Sequence, residues 1–205
     1  MKLGRFELND VYLEDSYKAI KEIPDKSIDL IITDPPYEIE GIHGSGVMKE
    51  SYKNPECYMN QIGDNNLHKG IDYSILDELV RVMKKINIYI WCNKTQIPDY
   101  LDFFLKKHKC NWELLIWEKS NVPPFCGTHY LVDKEYCLYF WEEGANVYIP
   151  YERAKTIFHG KTNVADKKEF GHPTIKDYEM TKVMIKNSTS ACRERERERE
   201  NGNCA

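Results

Sequence analysis

Four consecutive residues, Asp34-Pro35-Pro36-Tyr37, bring together a carboxylate, two fixed backbone angles and an aromatic ring, directly after an apolar run. The exocyclic amine of adenine (N6) is a poor nucleophile because its lone pair is delocalised into the ring. Acceptors placed out of the ring plane would bind both amine hydrogens and let the nitrogen pyramidalise as it attacks. Asp34 offers a carboxylate for one hydrogen, and the backbone carbonyl of Pro35 offers the second acceptor. Each proline fixes its own φ and pushes the preceding residue towards extended conformations, so Pro35 and Pro36 would hold these acceptors ready before reaction. Tyr37 supplies a face on which a base swung out of a duplex would stack, a contact worth roughly 1–3 kcal/mol. A rigid strand-to-loop turn is the plainer reading of the same four letters.

What precedes the tetrapeptide favours the chemical reading. Ser27-Ile28-Asp29-Leu30-Ile31-Ile32-Thr33 is short, apolar and rich in β-branched residues, as a strand covered on both faces should be. Open α/β sheets bind ligands at the carboxyl ends of such strands. Upstream, a short strand is expected near Asp10–Leu13, then a helix capped by Ser16 and ended by Pro24-Asp25. Downstream, apolar residues from Ile71 to Met83 recur at helical spacing before a strand over Ile86–Cys92. A second unit follows, with a helix from Pro98 and a strand over Trp112–Trp117. Tyr136–Trp141 reads as an aromatic strand antiparallel to Trp112–Trp117 at the sheet edge, and a last amphipathic helix spans about Asp177–Lys186. Alternating strands and helices imply an α/β fold with a parallel sheet. Residues 38–70, glycine-rich and polar, read as a mobile loop. Gly41-Ile42-His43-Gly44-Ser45-Gly46 within it suits a lid beside a base pocket better than a cofactor loop.

Composition narrows the classes. The 205-residue chain is 41% hydrophobic and 12% aromatic, enough for one folded domain, and its net charge of −4 argues against a surface that clamps nucleic acid everywhere. Local basic clusters such as Lys106-Lys107-His108-Lys109 leave local contact with DNA open. The seven cysteines form no CxxC pair and no zinc-ligand spacing, so no metal is expected, and they read as reduced thiols of a cytoplasmic protein. The N-terminus has no signal-peptide pattern and no run approaches a membrane span.

The segment Ser27–Tyr37 resembles the catalytic segment of bacterial and phage adenine-specific DNA methyltransferases, whose cytosine-N4 relatives usually carry a Ser-led version. The resemblance extends over most of residues 5–186. Ile90-Trp91-Cys92-Asn93-Lys94, Trp117-Glu118-Lys119-Ser120-Asn121 and Asp133-Lys134-Glu135-Tyr136 are similar to strand ends and starts in the same family. His172-Pro173-Thr174-Ile175-Lys176 resembles a segment that precedes a helix there and helps hold S-adenosylmethionine; Asp177 stands where the family usually has proline. The resemblance implies a Rossmann-like methyltransferase sheet, double-stranded DNA as partner, and Asp34, Pro35, Pro36 and Tyr37 as catalytic residues. It implies cofactor contacts from Asp34, His172, Pro173, Thr174 and Lys176, with Thr174 hydrogen-bonding and Lys176 pairing with the cofactor's polar end. Glu14-Asp15-Ser16 resembles the family's acidic turn near the cofactor, which adds Asp15; an acidic helix start is the alternative. The family setting leaves room for a restriction endonuclease partner.

The implied organisation is a catalytic region over 1–186, with a target-recognition insert at about 142–170, and a disordered tail over 187–205. In the family order that this chain resembles, a Gly-rich cofactor strand follows the His-Pro-Thr segment, and nothing of that kind follows Lys186, so the sheet is expected to be incomplete at its C-terminal part. Instead, Arg-Glu repeats four times from Arg193. AGA and GAG encode Arg and Glu, so the run fits an AG dinucleotide repeat whose slippage would switch a downstream segment in or out of frame. A catalytically inactive DNA-binding remnant is therefore the alternative function, and cytosine-N4 methylation a further one.

Overall fold

The structure is a computed structural model and describes residues 2–38, 69–122, 130–145, 147–162, 169 and 175–189. Two short strands, β1 (Lys2–Leu3) and β2 (Phe6–Glu7), form an antiparallel hairpin ahead of helix α1 (Ser16–Ala19), which runs into a 3₁₀ turn at Ile20–Glu22. The strand expected near Asp10–Leu13 is not formed. Val11 and Leu13 are fully exposed there, with no sheet face to cover them. Asp15 rather than Ser16 caps α1, its carboxylate accepting from the Tyr17 N–H at 2.9 Å.

The main sheet contains β3 (Ile31–Thr33), β4 (Asn87–Cys92), β5 (Asn111–Lys119), β6 (Lys134–Trp141) and β7 (Ile157–Gly160), in the order β3-β4-β6-β5-β7. The pairs β3–β4 and β5–β7 are parallel, whereas β6 runs antiparallel to both β4 and β5. The sheet is thus mixed, and β6 lies in its middle rather than at the edge. Its side chains are buried on two faces, Cys137 and Tyr139 towards one layer and Leu138 and Phe140 towards the other, while its backbone groups find partners at both edges in β4 and β5. The outermost position at the opposite end falls to β3, whose residues are only half-buried; β3 is shorter than the apolar run from Ser27 suggests, with Ile28 making an isolated bridge to Met83.

Helices cover both faces. On one, α2 (Ile75–Val82) and α3 (Ile97–Leu101, continued by a π-helical stretch at Asp102–Lys107) pack Leu76, Tyr100 and Phe104 against Ile88, Ile90, Leu138 and Phe140. On the other, α4 (Tyr178–Ser188) lays Met180 and Met184 on Tyr89, Trp91, Cys137 and Tyr139. Every residue of β4 is buried, as a strand covered on both faces requires.

The last helix runs two residues beyond the expected end, and its final polar residues are buried. Asn87 donates to the Ser188 carbonyl and to the Asp29 carbonyl, both at 3.0 Å, and accepts from the Tyr139 hydroxyl at 3.0 Å. The Ser188 hydroxyl meets those of Tyr89 at 2.9 Å and Tyr139 at 3.1 Å, while the Asn187 carbonyl accepts from the Tyr148 N–H at 2.8 Å. Helix-end carbonyls left without intrahelical partners are thereby satisfied by the sheet and by the segment after β6. Among the described residues no helix is long and apolar enough to cross a membrane, and no group of His, Cys, Asp and Glu could hold a metal ion.

Candidate active site

Strand direction gathers the polar residues. β3, β4 and β5 all end at one edge of the sheet, and β6, running the other way, begins there. Asp34 leaves β3 at this edge, Trp91 and Cys92 close β4, Trp117 and Lys119 close β5, and Lys134 and Glu135 open β6. Lys176 arrives from the turn before α4, where Asp177 caps the helix by accepting from the Met180 N–H at 2.7 Å.

These side chains form one connected cluster. The Tyr37 hydroxyl donates to Asp34 Oδ1 at 2.9 Å, and Lys176 Nζ lies 3.2 Å from the same oxygen. Lys176 Nζ also donates to the Tyr37 hydroxyl at 2.7 Å and to Glu135 Oε2 at 2.6 Å. The other Glu135 oxygen pairs with Lys119. The Lys176 ammonium is 4.9 Å from the Trp91 ring centre and 5.0 Å from that of Tyr37, so aromatic faces complete its cage. Two carboxylates and two ammoniums balance in a largely buried space.

Electrostatics separates the two acids. Burial pushes the Asp34 carboxyl above its ordinary value, against the pull of the Lys176 ammonium and the Tyr37 hydrogen bond. Burial would raise Glu135 as well, but Lys176 and Lys119 together hold it below the ordinary range. The Tyr37 hydroxyl is pushed well up by burial and by the neighbouring carboxylates, so it stays protonated and can donate. Burial likewise moves the Cys92 thiol up to about 12, which leaves it neutral and unreactive at ordinary pH.

The loop carrying the tetrapeptide is pinned from behind by the turn after β4. Gln96, fully buried, donates to the Pro36 carbonyl at 3.3 Å and accepts from the Asn93 N–H at 3.2 Å. Asn93 donates in turn to the Glu38 carbonyl. The carbonyls on both sides of Tyr37 are therefore held, which fixes the ring and the run of the chain through Pro35 and Pro36. Glu38 bridges Lys69, and Gly70 follows at φ +75°, where a Cβ would stand 2.6 Å from Glu38 Cγ.

Asp34 also lines a cleft of about 880 Å³. Thr33, Pro35 and Pro36 line it as well, together with Glu14, Asp15, Ser16 and Tyr17, apolar residues of β3 and α2, and Tyr100. The Tyr100 hydroxyl is buried without a hydrogen-bond partner among the described residues. The structure thus brings Asp15 and Asp34–Pro36 to one cleft. Lys176 is not among the described residues that line it and instead meets Tyr37 and Glu135. His172, Pro173 and Thr174 lie outside the described residues, as do the Gly41–Gly46 segment and the Arg-Glu repeat.

Glu135, Lys119, Asn93 and Gln96 were not singled out by the sequence. A signal existed: three of them sit in the segments similar to family strand ends, and a topology that sends β6 backwards makes its first residues neighbours of the carboxyl edge.

No family model matches the chain, and no curated protein matches it. Among solved structures, it is similar to M1.HpyAVI in complex with SAM, at 19% identity and a TM-score of 0.53, over 87% of this chain and 76% of that one. It is similar also to M1.HpyAVI alone, at 19% identity and a TM-score of 0.51, over 87% and 75% of the respective chains. At this identity the likeness is one of fold: the chain has the Rossmann-like α/β architecture of M1.HpyAVI, built on a mixed five-stranded sheet.

Proposed function

We propose that this chain is the catalytic region of a DNA methyltransferase that transfers a methyl group from S-adenosylmethionine to adenine N6. One observation carries the reading: Asp34-Pro35-Pro36 lines, at the carboxyl end of β3, the same cleft as Asp15. The likeness in fold to a structure of M1.HpyAVI with SAM supports it.

The cleft fits the cofactor by size and by chemistry. Its volume lies within the range of small-molecule sites, roughly 300–1,000 Å³. Its apolar residues, the Asp15 carboxylate and the orphaned Tyr100 hydroxyl suit a cation-bearing nucleoside, whereas the Glu14 carboxylate is already paired with Arg5. S-adenosylmethionine, when bound, would supply an electrophilic methyl group. The residues of the chain do the rest. Asp34 accepts one N6 hydrogen and the Pro35 carbonyl the other, which localises the nitrogen lone pair as it attacks. The proton that the amine must lose after attack passes to Asp34 or to water. Tyr37 offers its ring to the extruded base. No metal is called for. His172, Pro173, Thr174 and Lys176 remain candidates for cofactor contact, residues 142–170 for the target-recognition insert, and a restriction endonuclease for a partner.

Incubation with methyl-labelled S-adenosylmethionine and unmethylated duplex DNA, followed by nucleoside mass spectrometry, tests the reading. N6-methyladenine is expected; N4-methylcytosine would reassign the base, and no methylated nucleoside would defeat the proposal. A second reading, an inactive DNA-binding module, is favoured by one observation, namely that Asp34 Oδ1 is already engaged by Tyr37 and Lys176. Calorimetric titration with S-adenosylmethionine separates the two, since an active enzyme must bind it.

A further inference from the structure

We infer that Glu135 is a positioning residue that holds the Lys176 ammonium against Asp34 and Tyr37. Lysine ends a flexible four-carbon stem, and Lys176 enters from a turn rather than from a strand. Nothing in that stem fixes where the charge rests. Glu135 belongs to β6, where its backbone pairs with Trp117 of β5. Its side chain is only 17% exposed, with one oxygen 2.6 Å from Lys176 Nζ and the other paired to Lys119 on β5. Two neighbouring strands thus define a carboxylate whose position defines the ammonium. Lys176, in turn, touches both the first and the last residue of the Asp34–Tyr37 segment.

The ammonium so held lies 2.6 Å from Glu135 Oε2 and 3.2 Å from Asp34 Oδ1, so its charge is shared between the two carboxylates and Asp34 keeps acceptor capacity for a substrate. The catalytic consequence rests on the methyl-transfer reading above, whereas the anchoring itself does not.

The test is therefore made on the anchoring first. Nitrogen-15 NMR of lysine side chains in the 205-residue chain should show an ordered Lys176 ammonium signal, assigned by its loss in Lys176→Met. Glu135→Gln is expected to move that signal to the averaged position of free lysines, and Glu135→Asp to restore it in part. A Lys176 signal unchanged in Glu135→Gln overturns the inference, whatever the activity. Where methyl transfer is measured, Glu135→Gln should lower kcat roughly tenfold or more with KM for DNA little changed. A wild-type kcat in Glu135→Gln overturns the catalytic consequence. Absence of transfer by the wild-type chain instead defeats the methyltransferase reading and leaves the NMR result to decide the anchoring. If Glu135→Gln fails to fold, Glu135→Asp carries the same test: a shifted Lys176 signal in a chain of wild-type Tm supports the anchor, and an unshifted one rejects it.

Discussion

The Tyr37 hydroxyl donates to Asp34 Oδ1 at 2.9 Å, joining the first and last residues of a four-residue segment through their side chains. The two prolines make this closure cheap, because they leave the chain between Asp34 and Tyr37 little freedom to lose. Tyr37 therefore has two separable parts: a hydroxyl that belongs to the Asp34–Lys176 cluster and a half-buried ring, 5.0 Å from the Lys176 ammonium, that is the candidate stacking surface.

Tyr37→Phe and Tyr37→Ala should separate those parts. With duplex DNA carrying 2-aminopurine at the target base, Tyr37→Phe is expected to keep the fluorescence change of base extrusion, whereas Tyr37→Ala should weaken binding of the extruded base by about 1–3 kcal/mol. Equal behaviour of the two variants would remove stacking from the role of Tyr37.

The pH dependence of transfer should follow Asp34. Burial raises its pKa and the Lys176 ammonium opposes that rise. The carboxylate accepts only when ionised, so kcat/KM should fall as pH drops through the raised value. Lys176→Met removes the opposing cation, and the acid limb should move to higher pH. An acid limb that stays in place would mean that another group governs it.

The Asn87 network should be a stability determinant with no direct part in chemistry. Asn87→Ala removes the Asn87 donor from the buried Ser188 carbonyl, while the Tyr139 hydroxyl keeps the Ser188 hydroxyl at 3.1 Å. Urea unfolding is expected to show a loss of about 1–3 kcal/mol, the penalty for one stranded group. A loss below the error of the extrapolation would show that the helix end finds other partners.

Gly70 is expected to tolerate no side chain. Its φ of +75° costs an L-residue about 1–2 kcal/mol, and an added Cβ would push Glu38, whose carbonyl Asn93 holds beside Tyr37. Gly70→Ala should lower kcat/KM more than its Tm shift would suggest, with a parallel effect from Gln96→Leu, which frees the Pro36 carbonyl. Full activity in both variants would show that the loop does not need to be pinned.

Much of this arrangement was legible along the chain. The apolar run before Asp34, the helical spacing of Ile75, Leu76 and Leu79, and the continuous burial of β4 are local patterns, and local patterns report which faces of an element are covered. They gave the α/β class, the run of helices and strands from Ile75 to Trp141 and the placing of Asp34-Pro35-Pro36-Tyr37 after a strand, but neither the hairpin at Lys2–Glu7 nor β7. Asn187 and Ser188 misled because polar letters near a charged repeat resemble a tail; their burial follows from helix-end carbonyls that only the folded sheet can satisfy.

What the tertiary structure alone decided is which edges and which side chains meet. Periodicity cannot say which strand takes the second edge of β6, and that choice turns Glu135 towards the site. Nor could spacing pair Lys176 with Tyr37, 139 residues away. A charge seeks the nearest opposite charge in three dimensions, and that distance is fixed only when β3, β5, β6 and the start of α4 have packed. The sequence by itself determined the chemistry that Asp34 and its prolines are suited to; the fold determined the company in which Asp34 would perform it.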